Sequence, residues 1–217
     1  MLIIFDIDGT LCDTHDVDTR CYIEAVESVT GHSLASVDWA HYTEATSAAI
    51  VHQLLSELGI PDAIAAEQRI HDEFVARLGA AAQRTPEMFQ PIDGALELFE
   101  ELRRKNYNIA IATGCWRESA KLKLHRSGFT IGDIPFASAS DARRRADIIA
   151  LAAYRAGFGV GDAVYVGDGL WDLKAARELC MRFIGVGKRH ALLHEHGASR
   201  LLVSFAERAQ FFRFLES

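Results

Sequence analysis

Asp6 and Asp8 stand two residues apart at the end of the apolar run Leu2-Ile3-Ile4-Phe5, and Gly9-Thr10 follows at once. A run that is continuously hydrophobic reads as a strand covered on both faces. Ligands of open α/β sheets lie outside the carboxyl ends of such strands. Paired carboxylates placed there could do acid–base or covalent work; an Asp-Gly turn is the plainer alternative. Two further apolar runs end in the same manner. Ile109-Ala110-Ile111-Ala112 leads into Thr113-Gly114, and Val164-Tyr165-Val166 leads into Gly167-Asp168-Gly169, with Asp172 four residues on.

Taken in order, these segments resemble the motifs of the haloacid dehalogenase-like superfamily of hydrolases. Asp6, Asp8, Gly9 and Thr10 match DxDGT, Thr113 matches the Ser or Thr that ends an apolar strand, and Gly167, Asp168 and Asp172 match GDxxxD. The likeness covers the whole chain, although residues 14–91 match only in size and helical character. It implies a Mg²⁺-dependent phosphatase acting on a small phosphomonoester. Asp6 is then the nucleophile that becomes an aspartyl-phosphate, and Asp8 is the general acid and base. The carboxylates would repel a phosphate dianion, so a cation is expected, and Mg²⁺ suits oxygen ligands. The resemblance implies a metal site of Asp6, the backbone carbonyl of Asp8, and Asp168, with Asp172 orienting a bound water or ligating through one. A helix-start acid is the structural alternative for Asp172. Thr113 and Gly114 would hold the phosphoryl oxygens; Thr113 could equally cap a helix, and helix N-termini bind anions.

The third motif departs from the family pattern. Most members carry a Lys before the helix that precedes the fourth motif, whereas this chain reads Ser140-Asp141-Ala142-Arg143-Arg144-Arg145-Ala146-Asp147-Ile148-Ile149. An Arg must take that place. Arg145 fits the spacing to Ile148 and is favoured, while Arg143 fits the spacing to Asp147. A guanidinium matches phosphate well, but the exchange is not neutral.

Some branches of the family are disfavoured. Dehalogenases lack the second carboxylate, and phosphonatases need a cap lysine, of which residues 14–91 have none. Sugar phosphomutases remain an alternative, with Arg20, Arg69, Arg77 and Arg84 as the only cap residues able to take a second phosphate. A binding or regulatory protein that retains the fold is the alternative outside enzymes. Tyr42, Thr43 and Thr46, in the stretch 38–46 where phosphoglycolate phosphatase-like caps present a substrate loop, are candidate substrate contacts. Trp39 and Tyr42 could instead hold cap helices together. His190, His194 and His196 could bind a transition metal, yet their segment reads as surface helix and loop. Trp116 and Trp171 could wall the site or simply pack.

The elements that must position these groups alternate. Residues 1–13 and 92–217 show strand-like runs between amphipathic stretches, the pattern of a Rossmann-like, doubly wound parallel α/β sheet. Expected strands are 2–5, 109–112, 136–138, 164–166, 183–186 and 201–203; expected helices begin near 95, run 118–126 and 147–156. Residues 14–91 carry helical spacing throughout, broken at Gly31, Gly59-Ile60-Pro61 and Thr85-Pro86 into three to five helices. An all-helical cap inserted after the first strand is what the resemblance implies for them. Net charge of −7 argues against a nucleic-acid surface, and no apolar run is long enough for a spanning helix. A removable leader is not expected, because strand and loop begin within six residues. Four cysteines without CxxC spacing suggest reduced thiols and a cytoplasmic protein, as monomer or homodimer.

Overall fold

The computed structural model describes residues 1–33, 39 and 42–216. Six parallel strands form the main sheet: β1 (Leu2–Phe5), β4 (Asn108–Ala112), β5 (Phe136–Ala137), β6 (Ala163–Gly167), β7 (Arg182–Val186) and β8 (Leu201–Leu202), in the order β5-β4-β1-β6-β7-β8. A short antiparallel ribbon of β2 (Cys12–Asp13) and β3 (Gln90–Pro91) stands apart, with Cys12 opposite Pro91. Strand β1 is central, pairing with β4 from Leu2↔Asn108 and with β6 from Leu2↔Ala163. The chain therefore leaves β1 in opposite directions to build the two halves of the sheet. That reversal opens a crevice above the carboxyl ends of β1, β4 and β6.

The period of two along β1 sorts its side chains between two cores. Ile3 and Phe5 face the layer of α4 (Ala95–Arg104), α5 (Arg117–Arg126) and α9 (Arg208–Glu216), where Phe5 meets Phe99, Phe205 and Phe211. Leu2 and Ile4 face α6 (Arg145–Arg155) and α7 (Leu170–Glu178). Both faces are covered, so an uninterrupted apolar strand is what the position requires. A short α8 (His190–Glu195) lies before β8.

Between the two ribbon strands come α1 (His15–Thr30), α2 (Ser47–Glu57) and α3 (Ala63–Arg84). They bury a third apolar cluster around Tyr22, Val51, Ile70, Phe74 and Leu78. Trp116 and Ala139 from the sheet side complete it, so this cluster is also the contact between the helices and the sheet layer. Gly31 ends α1 in the left-handed conformation, and Thr46 and Asp62 cap α2 and α3 through their side chains.

The doubly wound sheet and its helices agree with the expected fold class. Several boundaries differ: α6 begins at Arg145 rather than at 147, and β8 ends at Leu202. The ribbon and α9 were not expected. The ribbon strands carry no apolar run, and only the five residues 203–207 separate β8 from α9.

Candidate active site

Asp6 follows β1 directly, and its backbone N–H donates to Val166 on β6 at 2.9 Å. The chain then turns through Gly9, whose φ of 75° lies in the left-handed region. A Cβ at Gly9 would collide with the Asp168 carboxylate, so this turn lets the β1 and β6 loops approach. Asp168 follows β6, and Asp172 stands at the third position of α7. Carboxylate oxygens of Asp6, Asp168 and Asp172 all lie within 4.8 Å of one another.

Three buried acids at that spacing repel, and the surroundings divide them by role. Asp172 is fully satisfied: its Oδ1 accepts from Arg145 Nη1 at 2.9 Å and Tyr165 Oη at 3.0 Å, and its Oδ2 accepts from the Gly169 N–H at 3.0 Å. It is thus both the acid at the start of a helix and a member of the cluster. Asp168 Oδ2 accepts from Arg189 Nη1 at 2.6 Å, and that guanidinium lies 5.0 Å over the Trp171 ring. Two oxygens remain: Asp6 Oδ1 and Asp168 Oδ1 are buried without a hydrogen-bond partner. Burial, followed by the charge of Asp172, pushes Asp6 up to about 7 and Asp168 well above the usual carboxylate range. Unpartnered hard oxygens in an acidic cluster are the donor set that a divalent oxygen-seeking cation would satisfy. Asp6 and Asp168 could hold such a metal directly, with Asp172 behind them.

Arg145 brings the compensating charge. Its side chain is 7% exposed, and Nη1 lies 3.4 Å from Asp6 Oδ1 while Nη2 donates to the Ala45 carbonyl at 2.8 Å. The guanidinium passes directly over Gly114, where any Cβ would strike it. Gly114 thus leaves room for both the guanidinium and the Ala45 carbonyl. Arg143, the other candidate, is half exposed and pairs with Glu67 at 3.0 Å, away from the cluster. Thr113 follows β4 directly and lines the cavity; its Oγ1 accepts from the Cys115 N–H at 3.2 Å. It is not a helix cap, because α5 starts four residues later, after Trp116.

Asp8 faces a different group of side chains. It accepts from Thr14 Oγ1 (2.6 Å), Cys115 Sγ (2.8 Å) and Lys123 Nζ (2.6 and 2.8 Å). Burial opposes its charge, but Lys123 and these donors outweigh it and hold Asp8 below its ordinary range. Lys123 sits on the inward face of α5, fully buried, and also donates to Asp18 at 2.5 Å. Sequence reading missed Lys123, since Lys121 and Lys123 alternate with Leu122 and Leu124 in what reads as a surface helix.

The cleft over this site reaches Asp6, Asp8, Thr113, Gly114, Arg145 and Trp171, with Tyr22 and Trp39 from the helices. The expected cap contacts lie elsewhere. Thr46 is buried, its hydroxyl donating to the Arg143 carbonyl at 2.7 Å while capping α2. Tyr42 and Thr43 line a neighbouring recess with Lys174 and Glu178. Asp38, Ala40 and His41 of that stretch are outside the described residues. Trp116 packs on Tyr22 and Phe74 rather than lining the cleft. His190 and His196 turn their Nδ1 atoms to backbone carbonyls of Gly187 and Leu192, and no histidine joins a metal-capable cluster among the described residues.

A model of the haloacid dehalogenase-like hydrolase family matches residues 1–179. The SUPPRESSOR OF QUENCHING 1 protein of Arabidopsis thaliana chloroplasts is 24% identical over 207 residues, which is 92% of this chain and 19% of that one. The chain thus spans about a fifth of that relative's length. Among solved structures, a hydrolase from Pseudomonas syringae is similar at 22% identity over 94% of this chain and 95% of the other, with a TM-score of 0.76. CbbY from Rhodobacter sphaeroides, solved in complex with phosphate, matches at 23% identity over 95% of both chains, with a TM-score of 0.73. At these identities the two structures speak for the fold.

Proposed function

The chain belongs to the haloacid dehalogenase-like hydrolases, and we propose that it is a Mg²⁺-dependent phosphatase of a small phosphomonoester. The observation that carries this reading is the convergence of Asp6, Asp168 and Asp172 with Arg145 around two unpartnered carboxylate oxygens. In the first half-reaction an Asp6 oxygen attacks phosphorus, the bond from phosphorus to the leaving oxygen breaks, and Asp8 gives that oxygen its proton. In the second, water attacks the aspartyl-phosphate, its proton passes to Asp8, and the bond from Asp6 to phosphorus breaks. Arg145, the Thr113 hydroxyl and the Gly114 N–H would compensate charge on the phosphoryl oxygens. Mg²⁺ held by Asp6, the Asp8 carbonyl and Asp168, with Asp172 behind, would neutralise the charge of the phosphoryl group.

Helices α1–α3 serve as a cap in this reading, with the sheet layer as the catalytic core. Tyr22 and Trp39 then enclose the leaving group and exclude water. A hydrolase is preferred over a phosphomutase because none of Arg20, Arg69, Arg77 and Arg84 lines the cleft, so nothing from the cap offers a guanidinium to a second phosphate. Cys12, Cys21, Cys115 and Cys180 are all free thiols, which suits a reducing compartment such as the cytoplasm. No helix among the described residues is long and apolar enough to cross a membrane.

The test is hydrolysis of p-nitrophenyl phosphate by the purified protein with and without Mg²⁺, beside Asp6→Asn. Magnesium-dependent release that is lost in the variant is expected. Release that survives either the substitution or chelation would refute the covalent, metal-assisted route.

A further inference from the structure

Among the described residues, Lys123 is the one fully buried cation near the site to which the reaction just described gives no part. Its side chain is 0% exposed, so it cannot reach substrate. An ammonium has three N–H donors, and all three are used: on Asp8, on Asp18 at 2.5 Å and on Cys115 Sγ at 3.0 Å. Nothing is left over for another ligand. Asp8 is equally committed, since Lys123 spans both its oxygens while Thr14 takes Oδ1 and Cys115 takes Oδ2. A carboxylate has about four acceptor positions, and here all are filled, so the proton Asp8 gives to the leaving oxygen must take the place of one of these donors, and the oxygen that carries it is set by the donors that stay.

The bland explanation is a staple joining α5 to α1, on which Asp18 lies. Energetics weigh against it. Desolvating an ammonium and two carboxylates costs several kcal/mol per ion, and a buried ion pair is often no more stable than apolar side chains of the same volume. A lysine retained under a reacting carboxylate therefore calls for a reason beyond stability. Direction supplies one. Asp8 must present its proton to the leaving oxygen within hydrogen-bond reach, and small misplacements of a reacting group cost rate steeply.

We propose that Lys123 is a positioning residue for the proton transfer: pinned between Asp18 and Cys115, its ammonium fixes the Asp8 carboxylate in the orientation from which it meets the leaving oxygen. The proposal rests on the phosphatase reading above. It also makes helix α1 a partner in the chemistry, because Asp18 is the far anchor of the ammonium.

Leaving-group dependence separates aiming from stapling. p-Nitrophenolate departs without a proton, whereas phenolate and alkoxides need one. The wild type, Lys123→Met and Asp18→Asn should be compared with magnesium in single turnover, reading phenol release, which reports only the first half-reaction. Lys123→Met should lose about 100-fold on phenyl phosphate, the scale of general-acid catalysis, and less than about threefold on p-nitrophenyl phosphate, with KM little changed. Asp18→Asn, which keeps the ammonium on Asp8 but removes its anchor, should show the same split to a smaller degree. This second variant carries the test if Lys123→Met does not fold. Equal losses on both esters, or none, overturn the proposal while leaving the phosphatase reading intact. A wild type that releases neither phenol removes the phosphatase reading, and this inference with it.

Discussion

At the scale of single residues, the acids divide according to what touches them. Asp6 keeps an oxygen free and holds its proton up to about 7, whereas Asp8 is surrounded by donors and held low. Because folding raises the proton affinity of Asp6, its contribution to stability is full below an ordinary carboxylate value near 3.8 and is lost as pH rises through about 7. Asp18, pushed up to about 6 by burial, acts in the same sense. Metal-stripped protein should therefore melt lower at pH 8 than at pH 5.5, and Asp6→Asn should flatten the difference in thermal melts across that range. Arg145→Ala should lower phosphatase turnover on the order of 100-fold, the scale for removing a charge-stabilising donor, while Arg143→Ala stays within about twofold of wild type. The reverse order in a steady-state comparison would move the third-motif role to Arg143. Asp6, Asp8 and Asp168 could be read in the sequence because each depends on its place just beyond an apolar run. Lys123 could not, because its contact with Asp8 spans 115 positions. Spacing favoured Arg145 over Arg143, but the burial and partners that separate the two are not visible in the sequence.

At the scale of elements, each loop works because one side chain is absent. Gly9 lets the turn after β1 meet Asp168, and Gly114 leaves a path for Arg145. Gly9→Ala sets a Cβ into a carboxylate at a left-handed φ, which is strained on both counts. It should cost about 1–3 kcal/mol in urea unfolding and weaken binding of Mg²⁺ measured by titration calorimetry. Strands of the sheet layer were legible as apolar runs and its helices from a period of 3.6. The short ribbon was not, and the tightest turns of the site depend on contacts between loops far apart in the chain. Tyr42, Thr43 and Thr46 illustrate the same limit: sequence placed them near the cleft, but helix capping and a neighbouring recess took them.

At the scale of the whole molecule, α1–α3 own an apolar cluster that reaches the sheet layer through Trp116 and Ala139. Trp116 is 4% exposed and touches Tyr22, Phe74 and His71. Trp116→Ala should cost about 3–5 kcal/mol as a cavity and should loosen the helices against the sheet, seen as faster amide exchange in α1 and α3 than in β1. Uniform exchange across all three would show that the helices and the sheet unfold as one unit. The β2–β3 ribbon adds a consequence of its own. With Cys12 opposite Pro91, the chain departs and returns at neighbouring points, so everything between them hangs from a single socket. A hairpin turn could close that socket without stretching any strand of the main sheet. Cutting the chain at that socket would spare the sheet but take Thr14 and Asp18 with the insert, and so strip two partners from the Asp8–Lys123 cluster.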